Sequence, residues 1–68
     1  MGRMTLRAAR VNAGLKQKEA AKALGIGNKT LSSWENGLSI PRGDKIEAIC
    51  ALYNATYDEI IFFNKENA

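Results

Sequence analysis

Apolar side chains recur along this chain at three- and four-residue intervals, and small clusters of glycine, proline and asparagine cut the pattern into short pieces. Gln17, Ala20, Ala21 and Leu24 fall at i, i+3, i+4 and i+7, which predicts a helix over 16–24 with a stripe of small residues facing inward. Ile46, Ile49, Cys50 and Tyr53 repeat that spacing in a fourth helix, whose first turn suits Pro41 and Asp44. A first helix is expected over 5–13, closed by Gly14 in a left-handed cap. Gly25-Ile26-Gly27 reads as a tight turn with an apolar plug, followed by a short third helix over 28–35 that Asn36-Gly37 ends. Thr56-Tyr57-Asp58-Glu59 matches a capping box and predicts a short fifth helix through Ile60, Ile61 and Phe62. Residues 64–68 form a polar tail expected to fray. Runs of alternating Val, Ile and Thr are missing, so the pattern predicts an all-α domain of five short helices, without linker, repeat or low-complexity segment.

The chain has 68 residues, 46% of them apolar, so a single domain over 1–68 is expected, with little room for an enclosed active site. No stretch reaches the roughly 18 apolar residues of a membrane span, and no apolar leader opens the sequence, so a soluble, cytoplasmic protein is expected. With one cysteine and no histidine, an internal disulfide is impossible and a zinc site has too few ligands; neither a metal nor a cofactor is expected, and Cys50 reads as a small core hydrophobe. Residues 25–30 resemble the end of a phosphate-binding loop, but Asn28 stands where a glycine is needed and no strand precedes it. Asp58 and Glu59 are adjacent on a predicted helix and point about 100° apart, poor geometry for paired acid–base work. An enzyme is not expected.

The net charge is only +3, but its distribution is uneven. Residues 1–45 hold nine Lys and Arg against three acids, a balance of +6, and the remainder holds one Lys against four acids, a balance of −3. The basic part suits a polyanion.

Two short helices joined by a glycine turn within about twenty residues have the geometry of a helix-turn-helix unit. The residues that carry this unit extend into a family pattern: Leu6 and Arg10, Gly14-Leu15, Gln17, Glu19-Ala20-Ala21, Leu24-Gly25-Ile26, and Thr30 to Gly37 with its Trp34-Glu35-Asn36-Gly37 end. In these the chain resembles the Cro/repressor-type, or XRE-type, helix-turn-helix proteins of phages and bacteria, over residues 5–62, with the helix-turn-helix unit at about 16–36. The resemblance implies a lambda-repressor-like DNA-binding domain. It departs from the family pattern at Ala20, where leucine is common, at Lys16 and Gly27, where Ser or Thr caps are common, and at Gly43, where an apolar residue is common. These departures bear on how tightly the second helix packs and where the fourth begins.

The resemblance implies an ion pair between Arg10 and Glu35, tying the third helix to the first, and Leu31 and Trp34 share the helix face turned to the core. Measured from Leu31 at about 100° per residue, Lys29 lies near 160°, Ser33 near 200° and Ser32 near 100°. The N-terminus of such a helix enters the major groove, so Asn28, Lys29, Ser32 and Ser33 are the expected base readers. Gln17 matches a phosphate-contacting position, and Asn36, Arg10, Lys16 and Arg42 are expected on neighbouring phosphates. Ile60, Ile61, Phe62 and Phe63 exceed what one face of a short helix buries, and the resemblance implies a homodimer contact at this end. The leading expectation is a transcriptional repressor that binds a pseudo-palindromic double-stranded DNA operator as a homodimer and acts by occupying a promoter, without a ligand switch. The competing expectation is a protein-interaction module, of antitoxin or phage-adapter type, that uses the same C-terminal apolar residues to hold another protein.

Overall fold

The computed structural model describes residues 3–62, in which four helices form: α1 (Leu6–Asn12), α2 (Gln17–Leu24), α3 (Asn28–Glu35) and α4 (Gly43–Tyr53). A strand β1 (Met4–Thr5) precedes them, and a 3-10 turn (Tyr57–Glu59) leads into a strand β2 (Ile60–Ile61). Thr5 is the N-cap of α1, its Oγ1 accepting from the Ala8 N–H at 3.0 Å. Lys16 cannot cap α2 with its own side chain, since an ammonium has no acceptor. Glu19 compensates in part by accepting from the Lys16 backbone N–H at 2.8 Å, and its charge opposes the positive end of the helix dipole.

All four helices close alike. At α2 the Gly25 N–H donates to Lys22 O at 3.1 Å and the Ile26 N–H to Ala21 O at 3.0 Å, with Gly25 at φ +72°. This pair of bonds needs a left-handed residue, which glycine adopts without a Cβ penalty. The same two bonds recur around Gly14, Gly37 and Asn54, each at positive φ. Leu15, Ile26 and Ala55 follow three of these caps and pack against the core, whereas Leu38 follows the fourth and is 79% exposed. Lys45 of α4 adds a further tie, its Nζ donating to the Leu24 carbonyl at 2.9 Å, where the negative end of the α2 dipole favours a cation.

Leu31 and Ile49 are fully buried at the centre, surrounded by Leu6, Ala9, Ala20, Ala21, Leu24, Tyr53, Ile60 and Phe62. Ala20, at 0% exposure, leaves no room for the larger leucine common at its position without repacking, and it lets α2 lie close to its neighbours. Trp34 and Cys50 are each half-buried against this core, the Cys50 thiol pushed up by burial. Among the described residues no helix is long and apolar enough to cross a membrane.

The predicted fifth helix is not formed. Glu59 does accept from the Thr56 backbone N–H at 2.8 Å, but the turn it closes lasts one revolution. Beyond it Ile60 and Ile61 are extended and pair in parallel with Met4 and Thr5. Consecutive isoleucines are stiff at χ1 and suit a strand, and the two-residue period sends Ile60 and Phe62 inward with Ile61 between them half-buried. Phe62 stacks on Tyr57, ring centroids 5.5 Å apart. Phe63 and the tail over 64–68 lie outside the described residues.

Tyr53 is 4% exposed, and its hydroxyl has no hydrogen-bond partner among the described residues. Burial, with the Glu35 carboxylate adding to it and Arg10 opposing, pushes its phenol up to about 12. An unfolded phenol loses its proton near about pH 10, so between there and about 12 the folded state holds the extra proton and stability falls as pH rises. Tyr53→Phe is expected to remove this part of the alkaline loss and to leave stability at pH 7 equal or higher, because no protein hydrogen bond is lost. Urea unfolding of both proteins at pH 7 and across pH 10–12 measures it.

Candidate nucleic-acid interface

The core fixes the roll of α3. Leu31 points inward and Trp34 lies half-buried, which leaves Asn28, Lys29 and Thr30 exposed in the first turn. At the other end of α3 the structure brings Glu35 to Arg10, with Arg10 Nε 2.7 Å from Oε2 and Nη2 3.4 Å from Oε1. Arg10 Nη1 donates to the Leu15 carbonyl at 2.9 Å, and the arginine is only 8% exposed. A charge-assisted fork of this kind is the arrangement in which a buried guanidinium is tolerated.

From Glu35 a chain of amides runs back to the start of α3. Glu35 Oε1 accepts from Gln17 Nε2 at 3.1 Å, and Gln17 Oε1 accepts from Asn28 Nδ2 at 3.0 Å. A carboxylate can only accept, so Gln17 must turn its NH2 toward Glu35 and its oxygen toward Asn28, which must then donate. Asn28 keeps its oxygen and one N–H free, a donor and an acceptor side by side, which is the pattern that meets N6 and N7 of adenine.

Next to this chain α1, the start of α2 and the end of α3 enclose an open bowl of about 450 Å³ lined by Arg7, Arg10, Lys16, Gln17, Ser32, Glu35 and Asn36. Asn36 Nδ2 donates to Ser32 Oγ at 3.3 Å across its rim. Arg10 and Glu35 cancel in charge, so the bowl keeps the two positive charges of Arg7 and Lys16.

The structure sorts the residues singled out in the sequence. Asn28 and Lys29 stand exposed together; Ser32 is half-buried and belongs to the bowl with Asn36; and Ser33 is half-buried with its Oγ 3.0 Å from Ser39 Oγ, pinning the following loop. Gln17, Lys16 and Asn36 meet in the bowl, while Arg42 is exposed at the N-cap of α4 and does not line it. Arg10 turns three of its five N–H groups to Glu35 and the Leu15 carbonyl, and it also lines the bowl. Ile60 and Phe62 are a correction, since at 3% and 8% exposure they fill the core and offer little to a second copy. Arg7 was missed, and its position three residues before Arg10, on the same helix face, is the signal that could have found it.

A four-helix core carrying α2, a glycine turn and an outward first turn of α3 beside a basic bowl defines a helix-turn-helix DNA-binding domain. The helix-turn-helix family model HTH_3 matches residues 6–60, and the chain belongs to this family of XRE-type regulators. Among curated proteins it is similar to the HTH-type transcriptional regulator ImmR of Bacillus subtilis (strain 168), 41% identical over 56 residues that make up 82% of this chain and 44% of that protein. The chain thus spans less than half the length of that relative.

Removing one partner of the buried pair strands the other. Arg10→Met is expected to cost about 3–5 kcal/mol in urea unfolding, and adding Glu35→Leu to it to recover most of that loss, because the uncompensated carboxylate is then gone.

Proposed function

We propose that this domain binds double-stranded DNA sequence-specifically and represses transcription by occupying a promoter, with α3 in the major groove. The observation that carries this reading is the outward presentation of Asn28, hydrogen-bonded to Gln17 and through it to Glu35, next to exposed Lys29 and the basic bowl. In it Asn28 reads adenine, Lys29 reads guanine, and Ser33 and Ser32 follow at the groove edge. Gln17, Lys16 and Asn36 hold phosphates from the bowl, and Arg42 holds one from the start of α4.

A homodimer on a pseudo-palindromic operator fits this arrangement, with half-sites about 10 bp apart. Ile61, half-buried, is the described member of the apolar C-terminal run that remains partly available to a second copy. Burial of Ile60 and Phe62 also weakens the competing reading as a protein-interaction module, which relied on the same run.

Selection from random duplex DNA, followed by affinity measurements over a range of salt, tests the function. A two-fold symmetric consensus, bound well above random DNA and with steep salt dependence, is expected. Weak binding with no enriched sequence would overturn it. On the selected site Lys29→Ala is expected to reduce discrimination at one base pair by about 1–3 kcal/mol. An unchanged base preference would remove Lys29 from the readers.

A further inference from the structure

We propose that a second cavity, between the C-terminal ends of α1 and α4, binds a small primary alkylammonium, with the cationic head at its rim and the hydrocarbon stem on its floor. The cavity holds about 430 Å³ and is formed by β1, the ends of these two helices and the 3-10 turn; no residue of α3 lines it. Its floor is apolar, with Ala9 buried and Met4, Ala13 and Leu52 half-buried. Its rim is polar, with Asn12, Asn54 and Glu59 exposed. Glu59 is the one charged side chain in the lining among the described residues.

The polar atoms left over at this cavity are acceptors. Asn12 Nδ2 donates to Met4 Sδ at 3.3 Å, which leaves the amide oxygen for another partner. Glu59 uses Oε1 to accept from the Thr56 N–H, and its Oε2 is unpaired among the described residues. The carbonyls of Leu52 and Tyr53 lie past the last intrahelical bonds of α4 and accept no backbone hydrogen bond among the described residues. The dipole of α4 adds partial negative charge at the same end. An ammonium carries three donors and no acceptor, so it complements such a rim, and its single charge matches the single carboxylate. A metal ion fits less well, because no three His, Cys, Asp or Glu side chains come together among the described residues. The apolar floor favours an alkyl stem over a bare ammonium ion, since the stem leaves water on binding. The volume lies within the range of small-molecule sites, roughly 300–1,000 Å³, which suits a free amine.

The test is a titration of the full chain, without DNA, with n-pentylammonium chloride at constant ionic strength, followed by the backbone amide resonances in two-dimensional NMR. Saturable shifts are expected at Ala13, Asn54, Ala55 and Glu59, half-complete at about 1–10 mM, while the resonances of Asn28 and Lys29 stay in place. Pentan-1-ol, which keeps the stem without the charge, and pentanoate, which reverses the charge, are each expected to bind at least about 5-fold more weakly. Glu59→Gln removes the charge but keeps an oxygen for the Thr56 N–H, and is expected to weaken binding about 5-fold. Asn12→Asp adds a carboxylate to the rim and is expected to tighten binding by a similar factor, so the charge requirement is tested even if Glu59→Gln disturbs the turn; thermal melting of each variant checks that it is folded. The proposal is overturned if the shifts fail to saturate or spread over the whole surface, if pentan-1-ol or pentanoate binds as well as the amine, or if folded Glu59→Gln and Asn12→Asp both match wild type.

Discussion

A guanidinium taken out of water must have its charge and most of its N–H groups matched, or its desolvation outweighs what it gains. Arg10 meets that condition with two partners from different parts of the chain, the carboxylate of Glu35 at the end of α3 and the carbonyl of Leu15 just after α1. The pair therefore does more than join two side chains. It holds the C-terminus of α3 against α1 and the loop that leads into α2, while Leu31 anchors the middle of α3 in the core. With both its middle and its end fixed, α3 has neither roll nor tilt left to choose, and the direction of its first turn follows.

The same carboxylate orders the polar side of the domain. Because the Glu35 carboxylate paired with Arg10 can only accept, the orientation of Gln17 is imposed, and through Gln17 that of Asn28. A stability element buried under α3 thus determines which hydrogen-bonding edge the exposed end of α3 presents. By neutralising Glu35, Arg10 also lets the surrounding lysine and arginine side chains act outward as positive charge. Net charge alone did not reveal this, since +3 is unremarkable for a chain of this size until the positions of the charges are known.

Most of the helical framework was legible in the sequence because its signals are local. Spacing at i, i+3, i+4 and i+7 placed α2 and α4, and Gly14, Gly25 and Gly37 marked three of the four helix ends; α3 runs over the residues read for it, Asn28–Glu35. Asn54 closes α4 in the same way and was not read, since asparagine adopts positive φ less often than glycine and gives a weaker mark. The segment at Ile60 was misread because its conformation is decided by Met4 and Thr5, far away in sequence, and a two-residue strand has no periodicity of its own. For the site, Asn28, Lys29 and Gln17 could be placed from helix position. The bowl could not, because it is assembled from three elements, and whether Arg10 or Arg7 faces outward depends on where Glu35 and the Leu15 carbonyl come to lie.

The turn between α2 and α3 contains only Gly25, Ile26 and Gly27, and each end of it is tied, by the Lys45 ammonium and the paired cap bonds on one side and by the buried Leu31 on the other. Its length therefore acts as a phase setting. If the turn keeps its three-residue geometry, one residue more or fewer shifts the sequence of α3 by one helical position, about 100° around and about 1.5 Å along its axis, taking Leu31 out of the core and parting Glu35 from Arg10 together. Beyond the left-handed Gly25 and the core-packing Ile26, the turn is constrained in count more than in composition.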